Sequence, residues 1–303
     1  MLSSRFWGLK VALTFAASLV MLRLLLPVQA ANASTKTFDK LISRLVQDGF
    51  SPNYVAAIYN PQPVPLYETV AQTLRIRESK LNYGQFLQPA AIEHARRFLQ
   101  EHGDALHKTE KTYDVDKYVI VAILSVETRL GQYTGRTPTL DILSTFALMD
   151  RKHFRDIIWT RLSSKDRIHW ERSAFDRKLM QRAQWAYGEL SALLRWAGGN
   201  AGKVKCFKGS LMGAVGMPQF LPSNLLRYGV DADSDGEVDL FQPGDAIPSV
   251  ANYLIAHGWR ETRSQSEKEK VIYRYNRSRP YVNAVLSIAD VLRGMEESLV
   301  SRE

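Results

Sequence analysis

The sequence predicts a mainly α-helical protein with a small β-containing part, an α+β arrangement. Apolar residues recur at helical spacing through most of the 303 residues, whereas only Val271 to Tyr275 alternates like a strand. No segment alternates strands with helices as a parallel α/β sheet requires. With 45% hydrophobic residues and only 12 prolines and 18 glycines, the composition is that of a globular protein.

Residues 1–30 differ from the rest of the chain. Arg5 and Lys10 precede an apolar run from Val11 to Met21, and small residues follow. This order predicts a secretory signal peptide. An uncleaved N-terminal anchor is the alternative, because the segment is about long enough to span a bilayer, although Arg23 interrupts it. Both place the protein in the periplasm or cell envelope, and no cysteine near the end of the segment offers a lipoprotein attachment site.

Residues 31–68 are predicted to form N-terminal helices and a proline-rich arm. Apolar residues at helical spacing from Phe38 end at Gly49, and Ser51-Pro52 is typical of the start of a second helix. Residues 60–67 contain three prolines and cannot be helical. The arm should connect this region to a larger domain over residues 69–303.

Helices account for much of the larger domain. The spacing of apolar residues predicts them from Pro89 past Ala105, and over Asp116 to Thr128, Phe175 to Ala197, Asp245 to His257, and Tyr281 to Val300. Residues 199–244 are rich in Gly, Pro, Ser and Asp and are predicted to be ordered, functional loops, because so long a stretch without periodicity is otherwise unusual.

Charge and cysteine content restrict the possible partners. The chain carries a net charge of +9, which suits an anionic envelope polymer or a membrane surface contacted through the N-terminus. No dense Lys/Arg cluster points to nucleic acid. Cys206 is the only cysteine, so no intrachain disulfide can form. The six histidines form no metal-ligand spacing, and we expect a monomer.

A carboxylate ends the apolar stripe of the helix predicted from Asp116. Val119, Ala122, Ile123 and Val126 share one face with Glu127. Burial there should raise the pKa of Glu127 and keep a proton available near neutral pH, as general acid catalysis requires. A structural glutamate salt-bridged to an arginine such as Arg129 or Arg136 is the alternative, and periodicity alone does not decide between them.

An acidic loop follows at residues 231–245. Asp231, Asp233 and Asp235 occupy alternate positions before Gly236, as in the first half of a calcium-binding loop. The backbone carbonyl of Glu237 is the expected next ligand, and Asp245 at a helix start, with Asp239 in reserve, could complete the shell. Gln242 stands where an EF-hand needs glutamate, so this is not a regular hand. A solvated acidic turn without metal is the alternative.

Four segments together resemble the family B lytic murein transglycosylases, over about residues 36–300. They are the segments from Val126 to Ala147, from Gly209 to Asn224, from Asp231 to Trp259, and from Tyr275 to Val285. The resemblance implies a lysozyme-like helical catalytic domain over residues 69–303, with a small β-containing lobe and a structural calcium ion at 231–245. It implies no cofactor for catalysis.

The resemblance also implies roles for individual residues. Glu127 takes the catalytic position. Residues that match glycan-contacting or tyrosine-rich motif positions are Ser210, Gln219, Tyr275, Asn276, Ser278 and Tyr281. Met217-Pro218 departs from the family pattern, which commonly has an aromatic residue and a glycine there, so the shape of the subsites is expected to differ.

The implied reaction cleaves the β-1,4 bond between N-acetylmuramic acid and N-acetylglucosamine in peptidoglycan and leaves 1,6-anhydromuramic acid ends. A lysozyme-like hydrolase is one alternative, but it needs a second carboxylate or a positioned water. Asp141 and Asp150 are the nearest candidates in sequence, and Asp141 is more typical of the first turn of a helix. A non-catalytic peptidoglycan-binding module is the other alternative.

Overall fold

The structure, a computed structural model, describes residues 37–76 and 82–300, with side chains to Ser298. The predicted signal peptide or anchor therefore lies outside the described residues. The chain divides into two compact units, Met1–Val64 and Pro65–Glu303. Within the described residues, no helix combines the length and apolar character needed to cross a membrane.

The first unit contains the two short helices predicted from its sequence, α1 (Asp39–Gln47) and α2 (Pro52–Ile58). Leu41 and Leu45 of α1 are buried, as are Val55 and Ile58 of α2. Pro52 stands at the first position of α2, where a missing N–H leaves no helical hydrogen bond unmade.

The second unit is built from helices joined by short turns. Its first half contains α3 (Tyr67–Thr73), α4 (Pro89–Glu101), α5 (Gly103–Tyr113), α6 (Lys117–Thr128), α7 (Thr139–Ala147), α8 (Lys152–Arg161) and α9 (Ser164–Arg167). Its second half contains α10 (Arg172–Trp196), α11 (Ala201–Cys206), α12 (Pro222–Tyr228), α13 (Pro243–Ala256), α14 (Gln265–Tyr275) and α15 (Arg279–Val300). Two 3-10 turns, at Tyr83–Leu87 and Leu148–Asp150, complete the described helical structure.

Helix α6 is the centre of the core, and it positions the site described below. All residues from Tyr118 to Ser125 are buried, because α15, α4, α5 and α13 pack around the helix. Each fully buried Ile or Leu contributes about 1.5 to 3 kcal/mol of transfer free energy. The Asp116 carboxylate accepts a hydrogen bond from the Tyr118 N–H at 2.7 Å and caps the first turn. A helix held in this way can present a polar side chain at its end with little freedom.

The strand predicted at Val271 to Tyr275 is wrong, because these residues form the last turns of α14. Val271 and Ile272 are both buried although they are adjacent, which a half-buried strand does not allow. The helix begins with a capping box in which Ser264 and Glu267 bond each other's backbone N–H groups. That start signal begins seven residues before the alternating stretch.

The described residues contain fewer strand residues than expected for a β-containing lobe. Thr137–Pro138 and Lys208–Gly209 form an antiparallel pair, with Thr137 opposite Gly209. Two single bridges, Gly209 to Val215 and Val215 to Phe220, extend it. The stretch 199–244, predicted as loops, also contains the short helices α11 and α12.

The helix predicted from Pro89 past Ala105 is interrupted at His102, which separates α4 from α5. The other four long helices of this domain lie where the spacing placed them, within a few residues at each end.

Candidate active site

Glu127 lies in the last turn of α6 and is only partly exposed. The helix ends abruptly after Thr128, because Arg129 and Leu130 adopt φ angles of +50° and +59°. Two successive non-glycine residues in the left-handed region are strained, which is typical of functional turns. The chain therefore leaves the helix axis directly beside the Glu127 carboxylate.

A tyrosine from a distant part of the chain contacts this carboxylate. The Tyr281 hydroxyl donates a hydrogen bond to Glu127 Oε1 at 2.7 Å. Tyr281 is 1% exposed and lies in the first turn of α15, where its backbone N–H donates to Ser278 Oγ at 3.2 Å. Ser278 thus caps the helix that carries the partner of Glu127.

The electrostatics of the pair favour a protonated acid. Burial raises the pKa of Glu127 to about 7, and the hydrogen bond from Tyr281 opposes this shift without cancelling it. Burial, with the charge of Glu127, holds the pKa of Tyr281 well above its usual range. The phenol therefore keeps its proton and remains a donor to either form of the carboxyl group.

Among the described residues, Glu127 forms no salt bridge, so the structural alternative for this residue is not observed. Neither Arg129 nor Arg136 forms an ion pair with Glu127, and no other described cation lies within 4.0 Å of its carboxylate. Arg129 instead donates to the Gln85 side-chain carbonyl at 2.7 Å. Tyr281 is the side-chain partner of Glu127.

Other tyrosines surround this pair. The Tyr275 ring stacks on Tyr281 with centroids 6.5 Å apart, and its hydroxyl donates to the Pro218 carbonyl at 2.6 Å. Tyr83 meets Tyr281 edge-on at 6.1 Å. Sequence reasoning missed Tyr83, which stands at the start of a 3-10 turn where no periodic pattern marks it.

The glycine-rich segment 209–220 lies close to the end of α6. Gln219, at φ +51°, donates from Nε2 to the Gly216 carbonyl at 2.9 Å and to the Thr134 carbonyl at 3.1 Å. Its Oε1 accepts no hydrogen bond from the described residues. Ser210 Oγ accepts from the backbone of Met212 and Ala214 at 3.2 and 3.1 Å. Both side chains thus shape the loop that contains them.

Thr128 joins the helix end to this segment. Its hydroxyl donates to the Met217 carbonyl at 2.9 Å and accepts from the Gly131 N–H at 3.0 Å, and the residue is 1% exposed. The Met217 N–H in turn donates to the Leu240 carbonyl at 2.8 Å. Thr128 was not among the predicted site residues, although it directly follows Glu127.

The structure gathers most of the predicted site residues near Glu127 but gives them different surroundings. The Tyr281 hydroxyl contacts the Glu127 carboxylate, and the Tyr275 ring stacks on Tyr281. The segment that contains Gln219 is held to both elements, because the Met217 carbonyl accepts from Thr128 and the Pro218 carbonyl accepts from Tyr275. Ser278 is 4% exposed and serves as a helix cap. Asn276 ends α14 and remains partly exposed.

The acidic loop brings together three of its predicted ligands. Oxygen atoms of Asp231, Asp233 and Asp245 all lie within 4.8 Å of one another. Asp235 is not in this group, and its carboxylate accepts from the Glu237 N–H at 2.7 Å. The Glu237 side chain pairs with Lys203 at 3.2 Å, which leaves the backbone carbonyl of Glu237 as its predicted ligand atom.

The loop residues fit a hard cation such as calcium. Asp231 Oδ1 is buried yet accepts no hydrogen bond from any described group, and an unpaired buried oxygen is costly. Asp245, 4% exposed, accepts from the Ala232 and Asp239 N–H groups at 2.9 and 2.7 Å, so its orientation is fixed. Carboxylate oxygens of this kind are the ligands that Ca²⁺ prefers.

Comparison with known proteins gives one family. The profile of the family described as "Transglycosylase SLT domain" matches residues 33–270. Membrane-bound lytic murein transglycosylase B of Escherichia coli K12 is 33% identical over 175 residues, which are 58% of this chain. The match spans 40% of that relative's length.

Solved structures match over most of the chain. Escherichia coli lytic transglycosylase Slt35 in complex with calcium aligns with a TM-score of 0.67 and 24% identity, over 85% of this chain and 93% of its own. SltB1 of Pseudomonas aeruginosa gives 0.68 and 23% over 85% and 98%. SltB3 of the same species, in complex with NAG-NAM-pentapeptide, gives 0.66 and 21% over 86% and 80%. These likenesses confirm the mainly helical, lysozyme-like fold.

Proposed function

This chain belongs to the transglycosylase SLT domain family, and we propose that it is a lytic transglycosylase acting on the glycan strands of peptidoglycan. It cleaves the β-1,4 bond between N-acetylmuramic acid and N-acetylglucosamine and leaves a 1,6-anhydromuramic acid end. The observation that carries the proposal is the Glu127–Tyr281 pair. In it, burial of most of the Glu127 side chain raises the pKa of the acid to about 7, and a phenol that stays protonated donates to it.

Glu127 is the catalytic acid and base in this proposal. The protonated carboxyl group gives its proton to the glycosidic oxygen as the bond from C1 to that oxygen breaks. The cation-like centre at C1 is stabilised by the acetamido group of the substrate or by the site. Tyr281 donates its hydrogen bond to the carboxylate that remains, which holds the charge until a proton returns.

The second half of the reaction uses the same carboxylate. Glu127 takes the proton of the muramic C6 hydroxyl while that oxygen bonds to C1 and closes the anhydro ring. Because the nucleophile belongs to the substrate, its attack has the advantage of proximity. One carboxylate then suffices where most glycosidases use two.

The surroundings of Glu127 favour this reaction over hydrolysis. Among the described residues, no carboxylate contributes to the shifted pKa of Glu127. Asp141 lies in the first turn of α7, and Asp150 pairs with Arg151 at 3.7 Å. Neither is among the groups that shift the pKa of Glu127.

The remaining predicted residues receive supporting roles. Gln219 offers its amide oxygen to sugar hydroxyl or acetamido groups, and Ser210 and Asn276 are assigned to glycan contacts by their positions in the family motifs. Tyr275 and Ser278 hold Tyr281 in place, the first by stacking and the second by capping α15. Asp231, Asp233 and Asp245, with Asp235 and the Glu237 carbonyl completing the set, hold a structural Ca²⁺ that supplies the missing partner of Asp231 Oδ1. Catalysis itself needs no cofactor.

The protein should act outside the cytoplasm as a monomer. We infer export to the periplasm or cell envelope from residues 1–30, either as a cleaved signal peptide or as a retained anchor that gives membrane association. The relative from Escherichia coli is membrane-bound by name. The substrate, an anionic polymer, matches the net charge of +9, and nucleic acid is not a partner.

Digestion of purified sacculi tests the proposal. Mass spectrometry of the released fragments should show anhydro ends, which lack the water that reducing ends carry. Reducing ends would establish a hydrolase instead. Release of no fragments, together with retained binding to sacculi, would establish the non-catalytic binding module.

A further inference from the structure

The positive charge of the chain is concentrated in one segment of the second unit. Residues 151–182 contain ten Lys or Arg and four Asp or Glu. Outside this segment, residues 31–303 contain 27 Lys or Arg and 27 Asp or Glu, so they carry no net charge. The segment covers α8, α9 and the start of α10, and the proposed reaction uses none of its residues.

The turn around α9 exposes an aliphatic side chain among these cations. Ile168 is 79% exposed and directly follows Arg167. Lys165, which precedes Ile168 by three residues, is also exposed. Because removal of an isoleucine side chain from water is favourable, a surface that covered Ile168 would gain binding free energy.

This turn is fixed by contacts at both of its ends. Ser163 Oγ accepts from the Asp166 N–H at 3.1 Å, and Arg75 Nε donates to the Asp166 carboxylate at 2.9 Å. The Trp170 ring packs edge-on against Phe175, with centroids 6.1 Å apart. The turn therefore presents its exposed isoleucine from an ordered backbone.

Two further elements extend this surface. Arg75, which holds the turn, is followed by Ile76, and the latter is 54% exposed. Arg182 of α10 donates to Thr73 Oγ1 at 2.8 Å, which brings α10 to the same place. Lys178 is exposed and lies one helical turn before Arg182, on the same side of α10. The basic patch is the surface formed by Arg161, Lys165, Arg167 and Lys178 with Ile76 and Ile168.

The described residues do not neutralise the cations of the basic patch. None of the four forms an ion pair with a described residue. Three of the four acids of segment 151–182 are already paired, Asp156 and Asp176 with Arg172, and Asp166 with Arg75. The basic patch therefore combines four uncompensated positive charges with two exposed aliphatic side chains.

A bilayer surface with anionic headgroups matches both properties. Its phosphates attract Lys and Arg, and the boundary between headgroups and acyl chains takes up exposed aliphatic side chains. A hydrated wall polymer would use the cations and leave Ile76 and Ile168 in water. We propose that the basic patch docks this protein on a membrane surface that contains anionic phospholipids. The contact requires neither the proposed reaction nor residues 1–30.

Hydrogen exchange of the full chain tests the contact at the turn itself. The protein is measured with vesicles of phosphatidylcholine alone and with vesicles that also contain phosphatidylglycerol. The amides of residues 163–170 should exchange more slowly only with phosphatidylglycerol, and added salt should remove the difference. No substrate is present, so the result does not depend on the proposed reaction.

A triple variant removes the charge of the basic patch. Lys165→Gln, Arg167→Gln and Lys178→Gln together should weaken binding about a hundredfold, because each cation near an anionic bilayer contributes about fivefold. The amides of the turn should then exchange as they do with phosphatidylcholine alone. An unchanged Tm shows that the variant is folded.

A matched triple variant removes the same charge elsewhere. Lys108→Gln, Lys111→Gln and Lys270→Gln change exposed residues outside the basic patch and should keep the wild-type protection of the turn. Both triple variants retain residues 1–30, so insertion of that segment does not distinguish them.

Ile168→Asn tests the aliphatic part of the basic patch, because it keeps every cation. It should lower the protection by phosphatidylglycerol vesicles and leave binding to purified sacculi unchanged. Three results would each overturn the proposal: equal exchange of the wild-type turn with both kinds of vesicle, equal losses in the two triple variants, or full protection in Ile168→Asn. Protection of the turn by sacculi and not by vesicles would also overturn it and assign the basic patch to the wall polymer.

Discussion

Glu127 and the acidic loop show two opposite ways to hold carboxylates in one domain. Glu127 stands alone at the end of an apolar helix, where burial favours its protonated form. Oxygen atoms of Asp231, Asp233 and Asp245 lie within 4.8 Å of one another, and backbone N–H groups fix the orientation of these carboxylates, an arrangement suited to a bound cation. The first arrangement suits proton transfer and the second suits metal binding, although the side chains are chemically almost the same.

Replacement of Glu127 should have the largest effect, because it removes the proton-transferring carboxylate and leaves the acidic loop intact. We expect Glu127→Gln to lower kcat on sacculi by about 10²-fold to 10⁴-fold, because the amide cannot give a proton. Release of anhydro fragments measures this loss. Asp233→Asn, which neutralises a carboxylate in the other region, is the control and should retain most of the activity. Substantial lysis by Glu127→Gln would remove Glu127 from its role.

The same substitution should stabilise the fold at high pH. The pKa of Glu127 is raised from about 4.5 to about 7, so ionisation costs stability progressively as the pH rises between these values and in full above 7. Glutamine avoids this cost. The free energy of unfolding should therefore rise by roughly 1 to 3 kcal/mol relative to wild type above pH 7, with no such gain below pH 4.5. Denaturant unfolding at the two pH extremes measures the difference.

In the acidic loop, loss of Asp245 should have the largest effect on stability. Asp245→Ala leaves the part-buried N–H groups of Ala232 and Asp239 without their acceptor, at a cost of about 1 to 3 kcal/mol even without metal. Asp239→Ala is the matched control, since that carboxylate is exposed and, among the described residues, accepts only from the Phe241 N–H. Thermal unfolding in a chelator compares the two.

Calcium should stabilise the wild type and not the loop variants. At one hundred times its dissociation constant, a ligand adds about 2.7 kcal/mol to the folded state. Asp233→Asn should abolish this gain while it keeps the stability seen in a chelator. An equal rise in Tm for wild type and variant on addition of calcium would place the ion elsewhere.

Thr128 links the two regions, because its hydroxyl donates to the Met217 carbonyl and the Met217 N–H donates to the carbonyl of Leu240, which lies within the acidic loop. Thr128→Val keeps the shape but removes two hydrogen bonds, and should cost about 1 to 2 kcal/mol of stability and lower kcat. Thr128→Ser retains the hydroxyl and should keep the kcat and the pH profile of the wild type. If Thr128→Val lowers the stability but leaves kcat unchanged, Thr128 has no part in positioning Glu127.

The smallest expected effect comes from Tyr281→Phe. The hydrogen bond from Tyr281 lowers the pKa of Glu127, so its removal should raise that pKa and move the alkaline limb of the rate profile to higher pH. The rate itself should also fall, because the carboxylate loses its donor. A limb that moves to lower pH would contradict the assigned direction.

Much of the helical fold was predictable, because apolar spacing is a local property. The Asp116 to Thr128 segment and the last helix lie close to their predicted limits. The strand at Val271 to Tyr275 was wrong, since five residues do not distinguish alternation from helical spacing, and the Ser264–Glu267 capping box before it was overlooked.

Less of the candidate site than of the fold could be predicted from the sequence. Glu127 could be singled out because a charged residue ends an apolar stripe. Its contact with Tyr281 spans 154 positions and depends on how α15 packs on α6, which no local pattern contains. Tyr83 and Thr128 were missed for the same reason. The loop spacing also named Asp235, which lies outside the cluster of Asp231, Asp233 and Asp245, so its place in the calcium shell stays a prediction.

Gly216 limits how this protein can be redesigned. A Cβ atom there would lie 2.5 Å from the Leu240 Cβ and 2.6 Å from its carbonyl oxygen, at a φ of +72°. The two backbones therefore touch with no side chain between them. A library that seeks new sugar specificity should hold residues 216 and 240 constant and vary partly exposed neighbours such as Met212, because a substitution at Gly216 would displace the acidic loop before it altered any subsite.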